Sequence, residues 1–235
     1  QIEVALKNGI HIFITSAGSP KTWTKILKDK GCTVIHVASS PELAKKCEEA
    51  GCDAVIAEGF EAGGHNGRDE ITTMVLIPQV IRTIKIPVIA AGGIGDGRGI
   101  AAAMALGAHG VQMGTRFLAT QESSAHENFK KIVVEAKSDS TMLMMKKVIP
   151  VRLMKNEFYE EVKKLEANNA SKEDLEKLLG KGRARAGMLN GDMVNGELEA
   201  GQICAIISDI PTVAQLTQRL LREYSEAVKS LTPLL

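Results

Sequence analysis

The apolar positions of this chain fall into short near-continuous runs that alternate with longer amphipathic ones. Ile2, Val4, Ala5 and Leu6 precede Lys7-Asn8-Gly9, which reads as the last turns of a helix with a glycine stop. Residues 10–15 then form an apolar strand, 22–30 a helix ended by Gly31, and 33–37 a second strand. Ser40-Pro41 opens a helix that runs to Ala50, with proline near its first turn, where the missing N–H costs nothing. Residues 54–57 give a third strand, 74–84 a helix, 88–91 a fourth strand behind Pro87, 97–107 an alanine-rich helix, and 110–113 a fifth strand.

Strands apolar along their whole length are buried on both faces, which implies a parallel sheet covered by helices. A doubly wound sheet and a TIM (β/α)8 barrel both fit the alternation. The glycine steps after the last two strands, Gly92-Gly93 and Gly114-Thr115, favour the barrel, whose phosphate site usually follows strands seven and eight. Counted back from there, three strands are missing. The expectation is a barrel whose N-terminal strands are absent from this chain, leaving strand 10–15 as an uncovered edge.

Past Glu122 the alternation stops. Ser124-Ala125-His126-Glu127 reads as a capping box opening a helix to about Ala136. Residues 141–154 are apolar and basic and fit an extended segment, with Met142, Met144 and Met145 expected in a local core. A charged helix is expected over 156–168, and a shorter one capped at Ser171 and ending at Gly180. Residues 182–201 are polar and glycine-rich, 201–208 are apolar, and a final amphipathic helix runs from Thr212 to about Lys229, with Val213, Leu216, Leu220 and Leu221 on one face.

Composition narrows the function. Lys+Arg number 29 against Asp+Glu 28, a formal net charge of +1, and aromatics are 3% of the chain. Neither a basic surplus nor a stacking surface points to nucleic acid. No apolar run approaches the ~20 residues of a membrane span. The four cysteines, Cys32, Cys47, Cys52 and Cys204, have no CxxC spacing, so no metal site is expected and a cytoplasmic protein with reduced thiols is.

The candidate chemistry lies between Glu58 and Glu122. Two glycine steps at the ends of adjacent strands can bring bare N–H groups to one anion, so they read as two halves of a phosphate cradle. Ala62-Gly63-Gly64-His65-Asn66-Gly67 places a histidine in a glycine loop after a strand, where an imidazole can exchange protons near neutral pH. His11, His36 and His109 sit in or beside strands and are expected to be structural, and His126 to lie at a helix start near the surface. The Lys and Arg of 181–185 read as solvated charge, with a docking patch for an acidic carrier as the lesser alternative.

The stretches AEGFEAGGHNG, PVIAAGGIGDGRGIAAAMALGAHGVQMGTRF and ESSAHENFK resemble the FMN-dependent nitronate monooxygenases (2-nitropropane dioxygenases) and the related FabK-type enoyl-acyl carrier protein reductases. GDMVNGELEAGQI, and GGHNG followed by Thr72-Thr73-Met74, look closer to the reductase branch. The resemblance implies an FMN-binding barrel portion over residues 1–120 and 201–235 and a lid over 121–200. It implies FMN phosphate at Gly92, Gly93, Gly114 and Thr115, flanked by Ala91 and Met113, with Glu58, Gly63 and Gly64 near the flavin and His65 as the catalytic histidine. It further implies NADH or NADPH as co-substrate, a small-molecule or acyl carrier protein-linked substrate, and a homodimer. Reduction of an enoyl thioester in fatty acid synthesis is the first expectation, and oxidation of alkyl nitronates with O2 the alternative. A phosphate-binding barrel or fragment without redox activity is the third.

Overall fold

The computed structural model describes residues 1–231. After a short helix α1 (Ile2–Lys7), five strands, β1 (Ile12–Thr15), β2 (Thr33–Ala38), β3 (Ala54–Glu58), β5 (Val88–Ala91) and β6 (Gly110–Gln112), pair in parallel in that order. They form a curled arc of an α/β barrel. Between them run α2 (Thr24–Lys28), α3 (Pro41–Glu49), α4 (Thr73–Thr83) and α5 (Gly97–Ala105). The expected elements are all present with shifted ends, except that helix 22–30 is split into a 3-10 turn at Pro20–Thr22 and the five residues of α2.

The burial pattern shows which side of the arc is covered. In β1, Phe13 is buried while Ile12 and Ile14 are 65% and 57% exposed, and successive strand residues point to opposite faces. In β2, Val34, His36 and Ala38 are buried, and Val34 and Ala38 share one hydrophobic cluster with Leu76, Ile77 and Val80 of α4. His36 is structural, as expected: it is 2% exposed, its Nδ1 lies 2.7 Å from Thr15 Oγ1, and burial lowers its pKa. His109 Nδ1 accepts from the Val88 N–H (3.2 Å), fastening the start of β5, and His11 is exposed.

A second, three-stranded antiparallel sheet stands beyond the arc, in the order β4 (Gly64–His65), β8 (Val151–Met154), β7 (Thr141–Met144). The extended segment 141–154 is thus a hairpin, and Met144 and Met145 are buried against Phe158, Val162 and Leu175 while Met142 is exposed. Helices α8 (Glu157–Ala167) and α9 (Lys172–Leu179) cover it; Ser171 and Asp174 form a reciprocal capping box on α9.

Two expectations are corrected here. The helix after Glu122 is α7 (Glu127–Val134), and its cap is His126, whose Nδ1 accepts from the Asn128 N–H (3.1 Å); Ser124 caps nothing, because residues 123–125 turn before the helix starts. The glycine-rich segment 182–201 contains a helix, α10 (Arg183–Met188). Its Gly187 sits so close to Gly196 that a Cβ on Gly196 would collide with the Gly187 backbone, and Arg183 donates to the carbonyls of Leu178, Leu179 and Asn195 and lies over the Phe158 ring. Arg183 is therefore a structural anchor, not a solvated charge.

The last helix, α11 (Val213–Leu231), packs on α5 where Gly97 leaves no room for a Cβ beside the Tyr224 backbone. Glu223 accepts from the Gly97 N–H (3.0 Å). Leu216 and Leu220 are buried as expected, but Leu221 is exposed.

Candidate active site

A cavity of about 640 Å³ opens at the C-terminal ends of β3, β5 and β6, the end where α/β barrels carry their sites. Its wall includes Glu58, Gly63, Ala91, Gly92, Gly93, Gly114 and Thr115 from the sequence-derived set. Met113 lies instead against the main core, and Gly64 and His65 lie beside the cavity on β4.

Two of the glycines are required by the fold itself. Gly92 (φ +94°) and Gly93 (φ +68°) are left-handed. A Cβ on Gly92 would come within 2.6 Å of the Gly59 carbonyl oxygen, and one on Gly93 would press on Glu61 Cβ at 3.3 Å. A side chain at Gly93 would therefore press on Glu61 as well as take up a strained backbone. Gly114 differs, because a Cβ there meets nothing within 4 Å.

Among the described residues the N–H groups of Gly93, Gly114 and Thr115 have no protein acceptor. Thr115 is buried, Gly93 half-buried and Gly114 exposed, and three free donors around open space at Gly114 fit an anionic group. Thr115 Oγ1 accepts from the Gly201 N–H (2.9 Å), which leaves its own hydrogen available to the same group. The residues present therefore suit a phosphate.

The loop joining β3 to β4 shapes the other wall. Glu61 takes the N–H of Thr73 on both carboxylate oxygens (3.0 Å each), closing the N-terminus of α4. Gln202 N–H donates to the Glu61 carbonyl (2.9 Å), and a Cβ on Gly63 would strike the backbone of Ala200 and Gly201 at 2.5–2.7 Å. Asn66 Nδ2 bonds the carbonyls of Ala62 (2.9 Å) and Gly64 (3.1 Å), and its N–H donates to Pro150. Arg152, 2% exposed on β8, gives Nε and Nη2 to the Phe60 carbonyl (3.1 and 2.8 Å) and lies over the Phe60 ring.

Carboxyls dominate the electrostatics. Burial pushes Glu58 up to about 7. Burial, with the nearby Glu199, pushes Glu197 up to about 7 against the opposing charge of Arg183. Burial also raises Glu199, while the charge of His65 pulls it back down. At neutral pH Glu58 and Glu197 can both give and take a proton. Towards the mouth the wall becomes apolar, with Phe117, Leu118, Met188, Leu189, Ile203 and Val213.

Sequence reasoning missed Glu61, Arg152 and Glu199. Glu61 belongs to the glycine loop and the capping of α4 by a glutamate upstream gave no local sign. Arg152 and Glu199 reach the site only through long-range strand pairing.

The fold and this site define an α/β barrel with a cavity at the C-terminal ends of its strands. The sequence model of the nitronate monooxygenase family matches residues 1–223, and the chain belongs to that family. A probable nitronate monooxygenase of Staphylococcus saprophyticus is 42% identical over 170 residues, 67% of this chain and 47% of the relative. The chain spans about half the length of the staphylococcal relatives it matches. Among solved structures, FabK from Thermotoga maritima superposes with a TM-score of 0.93 at 40% identity, covering 100% of this chain and 74% of that one. Nitroalkane oxidase from Streptomyces ansochromogenes gives 0.80 at 32% identity, covering 98% and 68%.

Proposed function

We propose that the protein of which this chain forms part is an FMN-dependent oxidoreductase that reduces an enoyl thioester with NADH or NADPH. The observation that carries the reading is the set of free N–H groups at Gly93, Gly114 and Thr115 around open space at the ends of β5 and β6. FMN would supply the hydride-transfer chemistry that amino-acid side chains do not perform. Gly93, Gly114 and Thr115 would hold its phosphate, with Ala91 and Gly92 bringing the backbone into place and Glu58, Gly63 and Gly64 beside the rest of the group.

The residues then have separate tasks. The apolar mouth at Phe117, Leu118, Met188 and Leu189 excludes water and suits an acyl chain. His65 and the raised carboxyls are the groups that can deliver a proton to the reduced substrate. Residues 121–200 act as a lid, and the substrate is a small molecule or is carried by acyl carrier protein. The assembly is a homodimer. The likeness to the Thermotoga FabK over the whole of this chain supports this choice. Oxidation of alkyl nitronates is the second reading, and the staphylococcal relatives and the nitroalkane oxidase favour it.

The test starts with purified protein and added FMN. Flavin absorbance, followed by NAD(P)H oxidation on addition of crotonyl thioester, supports the first reading. O2 uptake with a nitronate and no NAD(P)H oxidation selects the second. A colourless protein that takes up no FMN refutes both.

A further inference from the structure

One hydroxyl group meets the backbone at the end of β5. Thr73, the first residue of α4, is buried, and its Oγ1 lies 2.8 Å from the Gly92 carbonyl, 3.2 Å from the Ala91 carbonyl and 3.0 Å from Glu61 Oε2. Carbonyls and carboxylates accept, and a hydroxyl has one hydrogen to give. The Ala91 carbonyl already takes the Gly59 N–H (2.9 Å), and Glu61 Oε2 already takes the Thr73 N–H (3.0 Å). Among the described residues the Gly92 carbonyl has no donor other than this hydroxyl. The shortest contact and the acceptor in need therefore coincide, and the hydrogen goes to Gly92. Gly59 makes room for the arrangement, since a Cβ there would collide with Thr73 Oγ1.

We infer that Thr73 is a positioning residue for the anion site: its hydroxyl sets which way the Gly92–Gly93 peptide faces and so aims the Gly93 N–H into the cavity. The inference rests on the oxidoreductase reading above, in which that N–H meets the FMN phosphate. A trans peptide is planar, with its carbonyl oxygen and its N–H on opposite sides. Thr73 is not part of the cavity wall, and tying the Gly92 oxygen to it turns that oxygen away from the cavity. The Gly93 N–H is thereby placed on the other side, where Gly93 lines the cavity and its N–H meets no protein acceptor.

Two glycines in succession need such a lock. Gly92 and Gly93 are both left-handed, at φ +94° and +68°. With no Cβ on either, the peptide between them can turn over at little steric cost. Turned over, it would present a carbonyl oxygen where a phosphate needs a donor. Glu61 would favour the turned state once the hydroxyl is gone, because its Oε2 lies 3.0 Å from the place of that hydroxyl and a carboxylate accepts N–H strongly. In the native arrangement Glu61 instead holds Thr73 in place, taking its backbone N–H on both oxygens (3.0 Å each).

Thr73→Val keeps the shape of the side chain and removes its donor, whereas Thr73→Ser keeps the donor. FMN and riboflavin differ by the phosphate alone, so their affinities for the flavin-free full-length protein separate the aim of the cradle from general damage. Thr73→Val should bind FMN about 10–100-fold more weakly than wild type, the size of one lost hydrogen bond to a charged group. Riboflavin affinity should not change, and Thr73→Ser should bind FMN as wild type does. Equal losses for FMN and riboflavin, or wild-type FMN affinity in Thr73→Val, would overturn the assignment. Crystal structures of the flavin-free proteins read the peptide itself. The Gly92 carbonyl should face residue 73 in wild type and Thr73→Ser and turn towards the cavity in Thr73→Val; an unturned carbonyl in Thr73→Val overturns the lock. This arm needs no flavin, so it decides the role of Thr73 even if wild-type protein takes up no FMN and the oxidoreductase reading falls. Should Thr73→Val not fold, Thr73→Ala removes the same donor with less bulk and is read in the same way.

Discussion

Replacing Glu58 by glutamine tests whether the cavity wall is as dry as its geometry implies. Burial raises this carboxyl from 4.5 to about 7, and no neighbouring charge contributes. At 1.36 kcal/mol per pH unit, that difference is worth up to about 3 kcal/mol between the two protonation states. Glu58 is only partly buried, so residual hydration reduces the expected effect to roughly 1–3 kcal/mol. The sign follows from proton linkage. With its pKa raised on folding, Glu58 contributes its full stability below about pH 4.5, where it is protonated folded or unfolded. That contribution is lost as the pH rises through about 7, where the folded protein must hold a buried carboxylate. Urea unfolding of flavin-free protein between pH 4.5 and 7.5 should therefore show wild-type stability falling more steeply than that of Glu58→Gln, the two curves separating by roughly 1–3 kcal/mol. Flavin-free protein is specified because a ligand bound to the folded state would add its own pH dependence. Parallel curves would refute the argument, and would mean that water reaches Glu58 freely.

The glycines of the cradle separate folding from binding. Gly114→Ala should leave the melting temperature unchanged but weaken FMN retention by on the order of 1–3 kcal/mol, because the new methyl meets no protein atom yet occupies the space beside the free N–H groups. Gly93→Val should lower both stability and FMN retention, since it forces a β-branched residue to φ +68° against Glu61; an unchanged melting temperature in Gly93→Val, or a lowered one in Gly114→Ala, would show that the two roles are misassigned. Arg152→Ala removes both side-chain donors to the Phe60 carbonyl and leaves a buried void, at a cost of roughly 2–4 kcal/mol measured by urea unfolding. A loss below about 0.5 kcal/mol, the range of ordinary surface substitutions, would mean that the β3–β4 loop does not depend on it.

The local pattern was enough for the parallel arc. Strand and helix periodicities are set by which faces meet the core, and in β2, β3 and β5 each residue's environment repeats along the chain, so apolar runs and glycine stops mark the elements. Gly92-Gly93 and Gly114-Thr115 were legible for the same reason: they terminate strands whose parallel pairing follows from the βα repeat. The start of α7 was misplaced because Ser124 and His126 are both able caps, and the choice was made by a turn through 123–125 that no local rule specifies. Helix α10 was hidden because it is only six residues long and set among the glycines at 180, 182, 191 and 196; it is held where Gly187 and Gly196 can touch and Arg183 can bind three carbonyls.

The sequence by itself determined the alternating elements, the covered parallel sheet, and the two glycine steps at the strand ends. Tertiary structure alone decided that Gly92 and Gly93 also serve close backbone packing, that His65 lies on a paired strand facing solvent, and that Glu61, Arg152 and Glu199 complete the site. The physical reason is the range of the interactions. A strand's burial repeats every second residue and can be read from neighbours, whereas β8 brings Arg152 and Leu153 against Gly64 and Glu199 across long stretches of chain. Such pairings are chosen by the packing of the whole fold and leave no mark in the residues beside them.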